Sequence, residues 1–456
     1  MKTEKKNSFI CIFTVVACLC AQFAISQSTL SWRGENRDGI YNETGLLKSW
    51  PEEGPQQLWE TLDLGKGYSS PMVVSNRLYI TGMNEDSDKE IFLAYSLDGK
   101  KIYETAYGTP WSGSYPETRT TPAIEGNKAY VISGSGEIVC INIEDGTIVW
   151  TVDGGTIFER KTGNWGTSEC PLIFDNKVIF TPAGEQTTMV ALNAQTGETV
   201  WKSQPLGDTG AYVSPILISY KGKRQIVGST GNSVIGVNPE TGNIEWTFNE
   251  WEAPPRERAP RDGAPRDSVR RDGAPGGAPA GGPPRTPPAG GRSNIAPNTP
   301  LFKDGRIFFC HGYNIGAYML QLNDDLSEVT LAWKNNDLDT HHGHYVLIDN
   351  LIYGSNWISN AQGNWCAVDW NTGETRYENQ WGENGKGSII AADGMIYCYD
   401  ERRGAVGLVK PNPEKFDVVS EFRITKGEGP HWAHPVINDG VMYIRHGSVL
   451  MAYIIK

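Results

Sequence analysis

Two short histidine clusters are the residues in this chain best suited to chemistry: His341-His342-Gly343-His344 and His431-Trp432-Ala433-His434, each a His-x-x-His. They lie 90 positions apart. Imidazoles at such spacing ligate zinc, copper or iron, or hydrogen-bond a polar ligand in their neutral form. Lys386, midway between them, opposes a cation with its own charge. A metal is therefore not expected, and two roles stay open: binding of an anionic or polyhydroxyl ligand by His344, His434, Lys386 and Arg119, or plain solvated lining of a polar channel.

These residues need a scaffold that brings distant segments together, and the chain repeats itself. Eight times an apolar stretch runs through a tight turn into a second apolar stretch, the turns centring on Asn76, Asn127, Asn176, Gly222, Gly305, Asn350, Gly394 and Gly440. Asn and Gly suit the positive φ that tight hairpins require. The spacing is 44 to 51 residues except for one interval of 83, which holds a 41-residue segment, 253–293, rich in Pro, Gly and Arg. Late in most repeats a Gly precedes an aromatic by four positions, as in Gly99/Tyr103, Gly146/Trp150, Gly197/Trp201, Gly242/Trp246 and Gly373/Tyr377. Each unit thus holds four short strands, one blade of a β-propeller, with the aromatic filling the wedge between blades. The pattern predicts an all-β, eight-bladed propeller over 57–456. The last unit lacks an outer strand, and Gln57-Leu58-Trp59-Glu60-Thr61 is expected to supply it and close the ring, which removes an unpaired edge.

In a propeller the segments before the innermost strands converge on the central channel. Aligning the repeats places Ser70, Thr121, Cys170, Ser214, Thr299, His344, Ser388 and His434 there, with Tyr68, Arg119, Ser168, Tyr212, Pro297, His342, Lys386 and Trp432 two positions earlier. The two histidine pairs occupy equivalent places a quarter turn apart, around a channel expected to be about 10 Å across. That is a polar, aromatic mouth.

The remaining features bear on compartment and partners. Lys2, Lys5 and Lys6 precede the apolar run Ser8–Ile25, and Ala24-Ile25-Ser26 offers small residues for cleavage, so 1–26 reads as a signal peptide and the protein as periplasmic or secreted. A lipoprotein anchored through Cys18 is the alternative, and residues 27–56 form an N-terminal extension. The mature chain has no other long apolar run, so no transmembrane segment is expected. Five cysteines follow the signal, with no Cys-x-x-Cys among them, and read as buried strand residues. The insertion 253–293, between blades four and five, lacks the apolar content to fold. A formal charge of −12 argues against nucleic acid. A monomer is expected.

The Asn-Ala-Gln-Thr-Gly, Asn-Pro-Glu-Thr-Gly and Asp-Trp-Asn-Thr-Gly segments ending at Gly197, Gly242 and Gly373, with their downstream aromatics, resemble the tryptophan-docking repeat of pyrroloquinoline-quinone (PQQ)-like propellers. Trp32-Arg33-Gly34-Glu35-Asn36-Arg37-Asp38-Gly39 resembles the opening of secreted bacterial members. The resemblance implies one of two functions: quinoprotein dehydrogenases oxidising alcohols or sugars with PQQ and calcium, or the outer-membrane-protein assembly lipoprotein, which binds partners and no cofactor. For the first, Glu169 and Asn298 are the candidate calcium ligands, and Trp165 or Trp432 the aromatic floor. Against it, the adjacent cysteines of many such enzymes are absent, no Asp falls at the aligned mouth positions, and short blades leave few loop residues for a deep pocket. The expectation is therefore a binding or scaffold protein for a protein partner or a small polar ligand, with the mouth, His431 included, as its site.

Overall fold

The computed structural model describes residues 31–84, 88–250, 297–383 and 385–456. The signal segment, Cys18 and the insertion 253–293 lie outside these. The described strands form eight sheets around a central axis, each of four antiparallel blade strands, and one sheet carries a fifth strand. Innermost strands are Met72–Val74, Ala123–Glu125, Leu172–Phe174, Ile216–Tyr220, Leu301–Lys303, Tyr345–Ile348, Gly387–Ala392 and Val436–Asn438, heading blades one to eight. Within a blade the first strands are buried and the last alternates, as in Lys101–Ala106, because only the outermost strand has a face in water. The one helix among the described residues is a single turn, Gly154–Ile157.

Ring closure follows the expected route. Gln57–Thr61 pairs antiparallel with Val449–Ile454 and becomes the outer strand of blade eight. Blade eight therefore joins both ends of the described chain.

The repeated aromatic docks blade on blade. Trp150 of blade two donates its indole N–H to the Ala194 carbonyl of blade three at 3.1 Å. Trp201 does the same to Pro239, Trp333 to Trp370, and Trp59, from the closing strand, to Leu97 of blade one. The ring lies flat on the neighbour's Gly: a Cβ on Gly197 would meet Trp150 at 2.9 Å, and its φ of +76° would strain any L side chain. The spacing Gly-x3-Trp thus serves two interfaces at once, the Gly receiving one blade's indole while the Trp reaches the next.

Part of the segment ahead of Gln57 packs into the ring, and the stretch 42–56 is mostly exposed. Ile40–Tyr41 pairs in parallel with Ala391 and Ala392 on the innermost strand of blade seven. Leu46 and Trp50 then pack between blades seven and eight, against Tyr397, Met442 and Met451. The extension therefore runs along the axis and out beneath the last two blades.

Candidate functional site

The site begins with that extension. Arg33 and Arg37, both almost fully buried, sit inside the ring. Arg33 donates to the carbonyls of Tyr345 at 2.7 Å and Ile389 at 3.1 Å, and to His434 Nδ1 at 3.1 Å, so one guanidinium ties blades six, seven and eight. Arg37 donates to the carbonyls of Cys170 and Pro215, each at 3.0 Å, and of Pro171, tying blades three and four. Innermost strands end in carbonyls with no further strand to accept from, and a planar five-donor guanidinium satisfies several at once. Burial lowers the Arg33 pKa to about 10 and that of Arg37 in the same sense. Gly39 gives the turn its room, since a Cβ there would fall 2.3 Å from an Arg33 nitrogen. The channel expected to be open is filled by this segment.

Above the plug lies a cavity of about 640 Å³. Trp32 lines it beside the arginines, its indole N–H 3.3 Å from Ser70 Oγ. Trp32 also stands edge-on to His344 and His434, with ring centroids 4.6 and 5.2 Å away. The two histidines are themselves only 5.0 Å apart, although a quarter turn separates their blades in sequence order. The two rings and Trp32 thus meet over the plug.

The walls are aromatic. Trp432 contacts Tyr68 and Tyr115, each with centroids 4.9 Å away, and His342 at 5.1 Å. Trp165 and Tyr212, 6.0 Å apart, form a second aromatic group contributed by blades three and four. Between these groups Lys386 and Glu401 form a buried ion pair, and Glu401 Oε2 also lies 3.4 Å from His342 Nε2. Burial raises the Glu401 pKa against the opposing pull of Lys386, and burial followed by the Lys386 charge lowers His342 to about 3. His342 is therefore neutral at physiological pH. Arg119 and Arg402 add two cationic side chains, Arg119 held by the carbonyls of Ser114, Tyr115 and Glu117.

Of the residues singled out from sequence, Arg119, Trp165, His342, His344, Lys386, Trp432 and His434 line this cavity. Three do not. Glu169 points into blade three, where its carboxylate accepts from the Thr181 N–H and hydroxyl at 3.1 Å each, and burial raises its pKa to about 8. Asn298 donates to the carbonyls of Cys310, Thr340 and His341 between blades five and six. His431 turns away from the cavity and stacks on His446 at 3.5 Å, hydrogen-bonded to Tyr399. The Glu169 carboxylate is thus engaged within blade three and the Asn298 amide nitrogen between blades five and six, while Asn298 Oδ1 has no hydrogen-bond partner, and among the described residues no group of three or more His, Cys, Asp and Glu is placed to hold a metal ion. Neither Glu169 nor Asn298 lines the cavity, so the two do not form a calcium site there. The five cysteines are buried and unpaired, four of them strand residues and Cys170 just ahead of the innermost strand of blade three.

Sequence alignment of the mouth missed Tyr115, Tyr313, Asn360, Glu401 and Arg402, which reach the cavity from loops between other strands. It also missed Trp32 and the plug. The expectation that short blades leave few loop residues for a deep pocket fails for this reason: the floor comes from the extension, and Tyr115, Trp165, Tyr212 and Trp432 reach in from the connections between successive blades.

With the geometry in place, the chain can be set beside known proteins. It is an eight-bladed β-propeller. Residues 56–259 match the family described as Outer membrane protein assembly factor BamB. Among solved structures it is similar to BamB from Moraxella catarrhalis, at 14% identity and a TM-score of 0.60 over 88% of this chain and 99% of that one. It is similar also to quinohemoprotein alcohol dehydrogenase ADHIIG from Pseudomonas putida HK5, at 12% identity and a TM-score of 0.58 over 94% and 80%. The quinohemoprotein alcohol dehydrogenase from Comamonas testosteroni gives 12%, 0.57, 92% and 79%. These likenesses establish the fold alone. No curated protein matches the chain.

Proposed function

We propose that this chain is an exported binding protein whose central cavity takes a small polyhydroxyl ligand, with room for an anionic substituent, and does not turn it over. The observation that carries the reading is the shape and chemistry of one recess: about 640 Å³, lined at its base by Trp32, walled by aromatic rings and fitted with inward polar groups. Cavities of roughly 300–1,000 Å³ with apolar walls and a few placed polar atoms are the usual form of small-molecule sites. Aromatic faces suit the C–H faces of sugar rings, while Arg119, Arg402 and the Lys386–Glu401 pair suit hydroxyl and carboxylate groups. Convergence inside a recess favours a small ligand over a flat protein partner. Binding without turnover is favoured over quinone-dependent oxidation because Glu169 bonds within blade three and Asn298 between blades five and six, and neither lines the cavity. The Lys-rich start and the apolar run to Ile25 support export, and among the described residues no helix is long and apolar enough to cross a membrane.

The test is calorimetric titration of the purified protein with D-glucose, D-glucuronate and myo-inositol, beside PQQ with calcium followed by dye reduction over alcohols and sugars. Saturable 1:1 binding of a polyhydroxyl compound without dye reduction supports the proposal. Calcium-dependent PQQ binding with substrate-dependent dye reduction would replace it by a dehydrogenase.

A further inference from the structure

The charges around the cavity do not cancel. Arg119, Lys386 and Arg402 line it against a single carboxylate, Glu401, and the four lining histidines are kept neutral chiefly by burial. In a chain whose formal charge is −12, the recess has the opposite sign. A cleft of one sign with low-dielectric walls focuses its field on whatever enters.

The three cations are not equivalent. Lys386 is engaged by Glu401 in the cavity wall. Arg119 gives its two terminal nitrogens to the carbonyls of Glu117, Ser114 and Tyr115. Burial lowers the Arg119 pKa, and Tyr68 and then the Glu117 carboxylate oppose that shift, so Glu117 balances Arg119 from the same loop. Arg402 has no such partner. It is exposed, its guanidinium touches one protein acceptor, the Ala361 carbonyl at 3.4 Å, and among the described residues no carboxylate pairs with it. Its neighbour Arg403 pairs with Glu383 and does not line the cavity. Arg402 sits in blade seven between Met395–Asp400 and Ala405–Lys410, and Asn360, also exposed, sits in the corresponding hairpin of blade six. Trp357 Nε1 lies 3.2 Å from Asn360 Oδ1, and an indole only donates, so the amide N–H group of Asn360 is the free one. Two free donor groups, one of them charged, therefore stand at the rim on adjacent blades.

We propose that Arg402 reads a carboxylate, so that the cavity's ligand is a sugar acid with one negative charge, its hydroxyls against the aromatic walls and its carboxylate at the rim, with Asn360 as second donor. This rests on the reading of the cavity as a small-ligand site and narrows its ligand from polyhydroxyl compounds in general to singly charged acids. The planar fork of a guanidinium matches a carboxylate with two parallel hydrogen bonds. One unbalanced cation matches one charge, whereas a phosphate monoester brings about −1.5 to −2 at pH 7.

The test compares D-glucuronate with D-glucuronamide, which keeps the shape and loses the charge, by calorimetric titration of wild type, Arg402→Gln and Arg403→Gln. Wild type is expected to favour the acid over the amide tenfold or more, and Arg402→Gln less than threefold. Arg403→Gln removes the same charge one position away and is expected to keep the wild-type ratio. Several results overturn the proposal while leaving the polyhydroxyl site standing: acid binding no tighter than amide in wild type, a ratio that survives Arg402→Gln, a ratio lost equally in Arg403→Gln, glucose binding without glucuronate binding, or D-glucose 6-phosphate binding more tightly than glucuronate. Failure of glucuronate, its amide, D-glucose and myo-inositol alike to bind wild type would remove the binding reading itself, and this proposal with it.

Discussion

Arg33 and His434 stand 401 positions apart in the chain and share a hydrogen bond of 3.1 Å. Through that bond the N-terminal extension sets the tautomer of a residue on blade eight, at the base of the cavity. The extension is thus both the plug of the ring and the floor of the site, which makes the fold and the candidate function depend on the same few residues.

Removing the Arg33 fork leaves the Tyr345 and Ile389 carbonyls buried without a donor. Hydrogen bonds to charged groups contribute about 1.5–3 kcal/mol each, so Arg33→Met is expected to cost on the order of 3 kcal/mol, read as a lower denaturation midpoint in guanidinium. Arg33→Lys should recover little of this, because a single ammonium cannot serve three acceptors on three blades.

Lys386 and Glu401 are 4% and 8% exposed, so neither charge is tolerated alone. Glu401→Gln is expected to destabilise by about 3–5 kcal/mol, and the double variant Lys386→Met, Glu401→Gln to lie closer to wild type than either single change. A thermodynamic cycle from urea unfolding checks this. Additive effects would mean that the pair is uncoupled.

Ring closure by the Gln57–Thr61 strand rests on Trp59, half-buried against blade one. Trp59→Ala is expected to cost about 2 kcal/mol or more. Hydrogen exchange should speed up first in Val449–Ile454, the strand that pairs with it.

Glu90 is buried with its carboxylate accepting from Tyr107 and the Gly134 N–H, and burial raises its pKa to about 7. Between its unfolded pKa near 4.3 and this value, the folded state keeps a proton that the unfolded state has lost. That contribution is present at low pH and disappears as pH rises through 7. Glu169 and Asp339, raised to about 8 and about 7, act in the same sense. His342 and His431, lowered to about 3, act in the opposite sense, but only below about pH 6.5, where the unfolded imidazole takes up its proton. Stability is therefore expected to fall between pH 6.5 and 8.5. Glu90→Gln should flatten that fall, by about 1 kcal/mol, in urea titrations across the range.

The propeller was legible because its determinants are local and repeated: a turn Asn or Gly, an apolar pair of strands, then Gly-x3-Trp. Even ring closure followed from counting strands, since an incomplete last blade and an unassigned Gln57–Thr61 answer each other. The mouth was legible in part because it too repeats, one position per blade. What escaped was everything that breaks the repeat. Trp32, Arg33 and Arg37 precede the first blade and have no counterpart against which to align. Glu169 and Asn298 sit one step from aligned mouth positions, in the segments ahead of the innermost strands, and their side chains turn to Thr181 and to the Thr340 carbonyl instead of the cavity. His431 failed for another reason: three residues before His434 the chain is still a loop, and its side chain packs sideways on His446.

The most direct test of the central claim is titration of wild type and Trp432→Ala with D-glucose, D-glucuronate and myo-inositol under identical conditions. Trp432 joins Tyr68, Tyr115 and His342 on one wall, yet lies outside the plug and the ion pair, so its loss should strip the ligand face and leave the ring folded. The account predicts saturable 1:1 binding of at least one compound to wild type, weakened tenfold or more in Trp432→Ala with an unchanged thermal midpoint. Binding that survives Trp432→Ala undiminished, or no binding of any of the three compounds to wild type, would contradict it.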